Sequence, residues 1–171
     1  MILRGGLAGL VALVLLVLFQ AGDGDGSDGV SWFGSGSLTG QSRPGHDFGF
    51  GGVLRNDGDR SITLRSASFV GDVPPQQGLL RETLVFDLGN AGFGPGGAWW
   101  PDEELRPYTR PIDGYVVRPS EEVGLVFVVE IRGAGPMTWT EGTVTYERDG
   151  ERRSVQGRLG LTLCPMTRGC G

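Results

Sequence analysis

The chain has 171 residues, which sets a single domain as the default expectation. Its formal net charge of −5 argues against a nucleic-acid partner, which calls for a basic patch. Its 32 glycines argue against long helices, where each glycine costs about 1 kcal/mol relative to alanine, and suit turns, bulges and loops. All 15 basic residues are arginine, which we read as coding-sequence bias rather than as an anion-binding surface.

The chain opens Met1-Ile2-Leu3-Arg4 and runs apolar from Leu7 to Phe19 before Gln20. A short basic start followed by an apolar run is the pattern of an export signal. The run is shorter than the roughly 20 apolar residues that span a bilayer comfortably. Residues 1–22 are therefore read as a hydrophobic helix, either a cleaved signal peptide or a membrane anchor. Arg4 favours the cytoplasmic side and sends the rest of the chain outward. The expected location is a cell membrane, single-pass with the C-terminal domain outside, or the secreted space if the signal is cleaved.

Residues 23–45 read as a flexible Gly/Asp/Ser-rich spacer, too poor in apolar side chains to fold by itself, although Trp32 and Phe33 could staple a short strand onto the body. A calcium loop starting at Asp23 and Asp25 fails, because Asp28 stands where an EF-hand needs glycine and Gly34 where it needs the bidentate glutamate.

From His46 the pattern has period two, the mark of half-buried strands. Phe48, Phe50 and Leu54 share a face, Asn56-Asp57-Gly58-Asp59 supplies a turn, and Ile62 and Leu64 resume, which predicts a hairpin. Leu80, Leu84, Phe86 and Leu88 line one face of the next strand. A long loop over residues 89–111 follows, then a short strand over 114–118. Val123, Leu125, Phe127, Val129 and Ile131 alternate with a second, partly apolar face, which predicts a central strand. Gly142, Val144 and Tyr146 lead through Asp149-Gly150 to Val155, Leu159, Leu161 and Leu163 as a last hairpin. About seven strands with regular turn signals predict one all-β domain over residues 46–171, an antiparallel β-sandwich, with a small barrel as the alternative.

The strand that ends in Asn56-Asp57-Gly58-Asp59 and the later run from Arg118 to Ile131, RPSEEVGLVFVVEI, resemble the immunoglobulin-like accessory domains of bacterial surface and secreted proteins. The likeness covers residues 48–163. It implies an immunoglobulin-like sandwich at a cell surface, used for adhesion, spacing or assembly, and carries no catalytic residues across.

Chemistry has few footholds. His46-Asp47 are strand neighbours that point to opposite faces, and no Gly-x-Ser-x-Gly elbow is present. Glu103-Glu104 and Glu121-Glu122 fall in loops or turns, where solvated charge is the ordinary explanation. The chain reads as non-enzymatic, with no cofactor. Cys164 and Cys170 are the only cysteines and are expected to pair in an oxidising compartment. A Cu(I) site from Cys164, Met166 and Cys170 is the alternative, since soft sulfur ligands suit that ion. The candidate contact site is the loop bearing Trp99, Trp100, Arg106, Tyr108 and Arg110, because loops carry function on sandwiches and tryptophan is frequent in binding hot spots. It could meet a protein or cell-envelope partner, stack a sugar, or fold back to plug the sandwich. The expected function is an extracytoplasmic interaction or structural module, with carbohydrate binding as the second reading.

Overall fold

Segments with alternating side chains become strands wherever a neighbouring backbone can satisfy their N–H and C=O groups, and here most of the described residues do so. The computed structural model describes residues 28–34, 37–70, 73–91 and 97–165; the expected helix over residues 1–22 lies outside them. In chain order the elements are β1 (Val30–Gly34), β2 (Ser37–Ser42), β3 (Asp47–Asn56), β4 (Ile62–Val70), β5 (Gly78–Phe86), a single helical turn α1 (Leu88–Ala91), and β6 (Gly97–Trp100). A 3-10 turn (Arg106–Tyr108) precedes β7 (Thr109–Pro111), β8 (Val116–Val117), β9 (Glu122–Ile131), β10 (Met137–Arg148) and β11 (Glu151–Pro165). Among the described residues, no helix is long and apolar enough to cross a membrane.

Two sheets pack face to face. One has the order β1-β3-β9-β5-β7, with β6 also paired to β3; the other has the order β2-β11-β10-β4-β8. Lettering the long strands A to G in chain order, with β1 and β2 as two halves of A, gives A-B-E-D opposite A-G-F-C. That is the immunoglobulin strand order. The protein is an immunoglobulin-like β-sandwich. β9 is central, as its two apolar faces implied.

The sandwich begins upstream of His46, so the boundary read from composition needs correction. β1 pairs antiparallel with β3, Val30 opposite Asn56 and Gly34 opposite Gly52. β2 pairs parallel with β11, Ser37 opposite Gly160 and Ser42 opposite Pro165. Backbone pairing at a sheet edge needs little side-chain hydrophobicity, and Val30, Trp32 and Leu38 supply the inward contacts.

The expected hairpin at residues 56–59 is also corrected: β3 and β4 lie in different sheets. Asn56 turns the chain across the sandwich. It is fully buried, and its Nδ2 donates to the carbonyls of Arg60 at 2.8 Å and Val117 at 3.2 Å. Its Oδ1 accepts from Gly58 N at 3.2 Å and Arg148 Nη2 at 3.1 Å. A fully bonded buried amide fixes the corner where a two-residue turn would have closed a hairpin. The β10–β11 hairpin stands as expected, with Arg148 opposite Glu151 and both Asp149 (φ 54°) and Gly150 (φ 80°) in the left-handed region.

In β5 the register steps from Leu80 opposite Val129 to Glu82 opposite Val128, leaving Arg81 as an extra residue. A bulge reverses which side chains face inward. Leu80 and Val85 therefore face the core, while Leu84, Phe86 and Leu88 share the outer face in a second cluster; of the single face inferred from alternation, Leu80 alone is turned to the other side.

The core is organised around Trp32, only 2% exposed. Its ring lies where side chains on three other strands would stand. A Cβ at Gly52 of β3 would sit 2.6 Å from its Nε1, one at Gly142 of β10 2.4 Å from Cη2, and one at Gly157 of β11 2.5 Å from Cε3. These three glycines thus make room for an aromatic ring inside strands, a use beyond the turns and loops expected of glycine. Phe50, Phe69, Phe127 and Trp139 stack beside this cage across both sheets, with centroids 4.9 to 6.4 Å apart.

Gly142→Ala should lower stability by about 1–3 kcal/mol, the usual cost of overpacking. Urea unfolding midpoints would measure it. The loss should shrink when combined with Trp32→Phe, because the smaller ring vacates the space the new methyl needs.

Candidate functional site

Trp99 and Trp100 are consecutive on a strand, so they point to opposite faces. The described part of the stretch read as a loop over residues 89–111, from 97 to 111, runs back across the outer face of one sheet. It begins with β6 at the β3 edge, with Phe50 opposite Gly97 and Asp47 opposite Trp100. It then comes back to set β7 beyond β5. β6 and β1 occupy the same edge of β3 end to end.

Trp100 faces outward over the sheet, and a Cβ at Gly49 would lie 3.1 Å from its Cε3. With Leu84, Leu88, Leu105 and Tyr108 it packs on Phe86, Val126 and Val128. This explains the apolar second face of β9: the return path covers it. Asp102 holds the path's turn, its Oδ1 accepting from Glu104 N at 2.9 Å and Leu105 N at 3.3 Å. Tyr108 meets Phe86 edge-on, with centroids 6.2 Å apart.

Trp99 goes the other way and remains 42% exposed. Its ring stands edge-to-face against Phe48 and His46, each with a centroid separation of 5.8 Å. Phe48 belongs to the core, so the exposed indole is seated on a rigid base. Arg106 and Arg110 are exposed, and Arg110 Nη1 donates to the Pro107 and Thr109 carbonyls at 3.1 and 2.7 Å. Arg110 lies on β7, at the opposite edge of the sheet from Trp99. Of the five residues singled out by sequence, the fold gathers Trp100 and Tyr108 into an apolar cover and leaves Trp99 apart, beside His46. The alternation in Gly97-Ala98-Trp99-Trp100 was the available signal for that split.

The other footholds have structural partners. Asp47 Oδ2 accepts from Arg81 Nη1 at 2.9 Å, while His46 leans on Trp99. Glu121 Oε2 accepts from Arg118 N at 2.6 Å within a turn, Glu122 lies 3.6 Å from Arg55, and Glu103 and Glu104 are exposed. Among the described residues no cluster of three or more His, Cys, Asp or Glu could hold a metal. Cys164 is buried at the end of β11 and is not a free thiol; Met166 and Cys170 lie outside the described residues.

No family model matches the chain, and no curated protein matches it. Among solved structures it is similar to the ASH/PapD-like domain 7 of human CEP192, at 13% identity and a TM-score of 0.42, covering 95% of this chain and 97% of that one. It is also similar to the secreted serine protease VesC of Vibrio cholerae, at 11% identity and a TM-score of 0.39, covering 80% of this chain and 24% of that one. A third is a GH20 exo-β-N-acetylglucosaminidase of Vibrio harveyi, at 14% identity and a TM-score of 0.31, covering 81% and 19%. Likenesses of this size assign no function.

The opposed environments of the two tryptophans predict opposed costs. Trp100→Ala should lower stability by roughly 2–3 kcal/mol, somewhat below the range for a fully buried tryptophan. Trp99→Ala should stay within about 1 kcal/mol, since only its inner edge loses contact. Thermal unfolding of the two variants side by side checks this.

Proposed function

We propose that this protein is a non-enzymatic, extracytoplasmic interaction module, held at a membrane by residues 1–22, which meets a protein or cell-envelope partner through Trp99. The observation that carries the reading is the half-exposed indole seated on Phe48 and His46. An aromatic side chain whose rotamer is held by core packing loses little entropy on binding, the character of an interface anchor. Its place in the fold supports the reading. β3 runs from Asp47 to Asn56, and Val30 pairs with Asn56 while Trp100 pairs with Asp47. The described chain therefore starts at one end of the sandwich and Trp99 stands near the other, so a tether before Asp28 would leave Trp99 facing away from it.

Carbohydrate stacking on Trp99 is the second reading, favoured by the same exposure. The copper alternative is weaker, because Cys164 is not available as a thiolate. We assign Cys164 instead to a disulfide with Cys170, which would pin the chain after β11.

A photo-crosslinking residue placed at position 99 in the membrane-expressed protein should capture a partner, whereas one at position 158, exposed on the other sheet, should not. Equal labelling at both positions would remove Trp99 as the contact. Intact mass should show the full chain in the membrane fraction, with both cysteines resisting alkylation until reduced. Loss of about the first twenty residues would make the module secreted instead, and prompt alkylation would remove the disulfide.

A further inference from the structure

The start of the described chain is bound more elaborately than an edge strand requires. Asp28 and Gly29 precede β1, yet they are held by three separate segments. The Asp28 carbonyl accepts from Arg148 Nη1 of β10. The Asp28 carboxylate lies 2.7 Å from Arg153 Nη1 of β11 and 3.4 Å from the Tyr146 hydroxyl of β10. The Gly29 carbonyl accepts from Asp57 N at 2.6 Å, at the corner between β3 and β4. β1 pairs with one sheet while Arg148 and Arg153 belong to the other, so these contacts bind the strand's root to both.

The surrounding residues are shaped for this. Gly29 has φ +68°, and a Cβ there would lie 2.8 Å from Gly58 N. A Cβ at Gly58 would lie 2.7 Å from Arg148 Nη2. Arg148 is only 8% exposed, and its second arm donates to the buried Asn56 Oδ1 at 3.1 Å. A guanidinium taken out of water is costly unless its protons find fixed acceptors; the Asp28 carbonyl and Asn56 Oδ1 serve its two terminal nitrogens, while its Nε has no partner among the described residues. Three residues beyond Gly29, Trp32 locks the same strand into its glycine cage.

We infer that Asp28, Gly29, Arg148 and Arg153 form a clasp that holds the root of β1 rigidly to both sheets. The consequence for orientation rests on the tether reading proposed above: with the clasp closed, the end bearing the Asn56 corner and the Asp149-Gly150 turn faces the attachment, and the Trp99 end faces away. Hydrogen bonding to Arg153, aided by the charges of Arg153 and Arg148 against the opposing effect of burial, holds the Asp28 carboxyl below its ordinary range. A depressed carboxyl supports the folded state at neutral pH, and that support fades as the pH falls below the ordinary carboxylate range.

Hydrogen exchange of the full chain, read by mass spectrometry, tests this. In the unaltered protein the Ser31 to Phe33 amides should exchange within about tenfold of those of Leu125 to Val128 in central β9, as one cooperative unit. Arg148→Met and Arg153→Gln should each speed exchange in β1 at least tenfold relative to β9. Arg153→Gln leaves the buried Arg148 in place and so remains readable if Arg148→Met fails to fold. A β1 that exchanges a hundredfold faster than β9 in the unaltered protein, or Arg153→Gln exchange identical to it, overturns the clasp. The measurement involves neither membrane nor partner. A rigid β1 in a chain found to be cleaved and secreted would keep the clasp and discard the tether.

Discussion

One indole ring sets the terms for the rest of this sandwich. Trp32 lies between the sheets in space left by Gly52, Gly142 and Gly157, and its Nε1 finds no acceptor among the described residues. A buried donor without a partner costs roughly 1–3 kcal/mol, and three glycines inside strands weaken those strands further. The burial of a tryptophan's large apolar surface offsets these costs. The arrangement ties β1, β3, β10 and β11 to one another, so the first strand is an integral part of the core although it stands at an edge.

The second organising feature is the return path between β5 and β9. A sandwich sheet normally has one wet face, but here Val126 and Val128 give β9 a dry outer side that needs covering. Leu88 and the path from Trp100 to Tyr108 provide the cover, and the same path begins with β6 against the N-terminal half of β3. The two adjacent tryptophans follow from that one act: pairing of β6 turns Trp100 into the cover and pushes Trp99 out over Phe48. The exposed aromatic follows from how the sheet is covered, and it rests on the core residue Phe48.

These features give the domain two unlike ends. At one, Asn56 and Arg148 form a buried polar network around the root of β1. At the other, His46 and Trp99 present an aromatic edge to solvent. The first end is polar, its groups bonded to one another across both sheets. The second carries the half-exposed apolar side chain seated on the core.

By itself the sequence determined the β class, the central place of β9 and the β10–β11 hairpin. In those segments the period-two alternation and the Asp149-Gly150 turn are local properties that survive any tertiary arrangement. It also singled out the tryptophans around Trp99, but not which of them stays exposed. Tertiary structure alone decided that β3 and β4 part company at Asn56, because the choice between hairpin and corner depends on Val117 and Arg148, distant in sequence. It decided that Val30–Gly34 and Ser37–Ser42 are strands, because an edge strand draws its order from a partner's backbone rather than from its own composition. The inward and outward faces of β5 likewise rest on a bulge at Arg81, and a one-residue insertion in a ladder leaves no mark in the pattern of apolar residues.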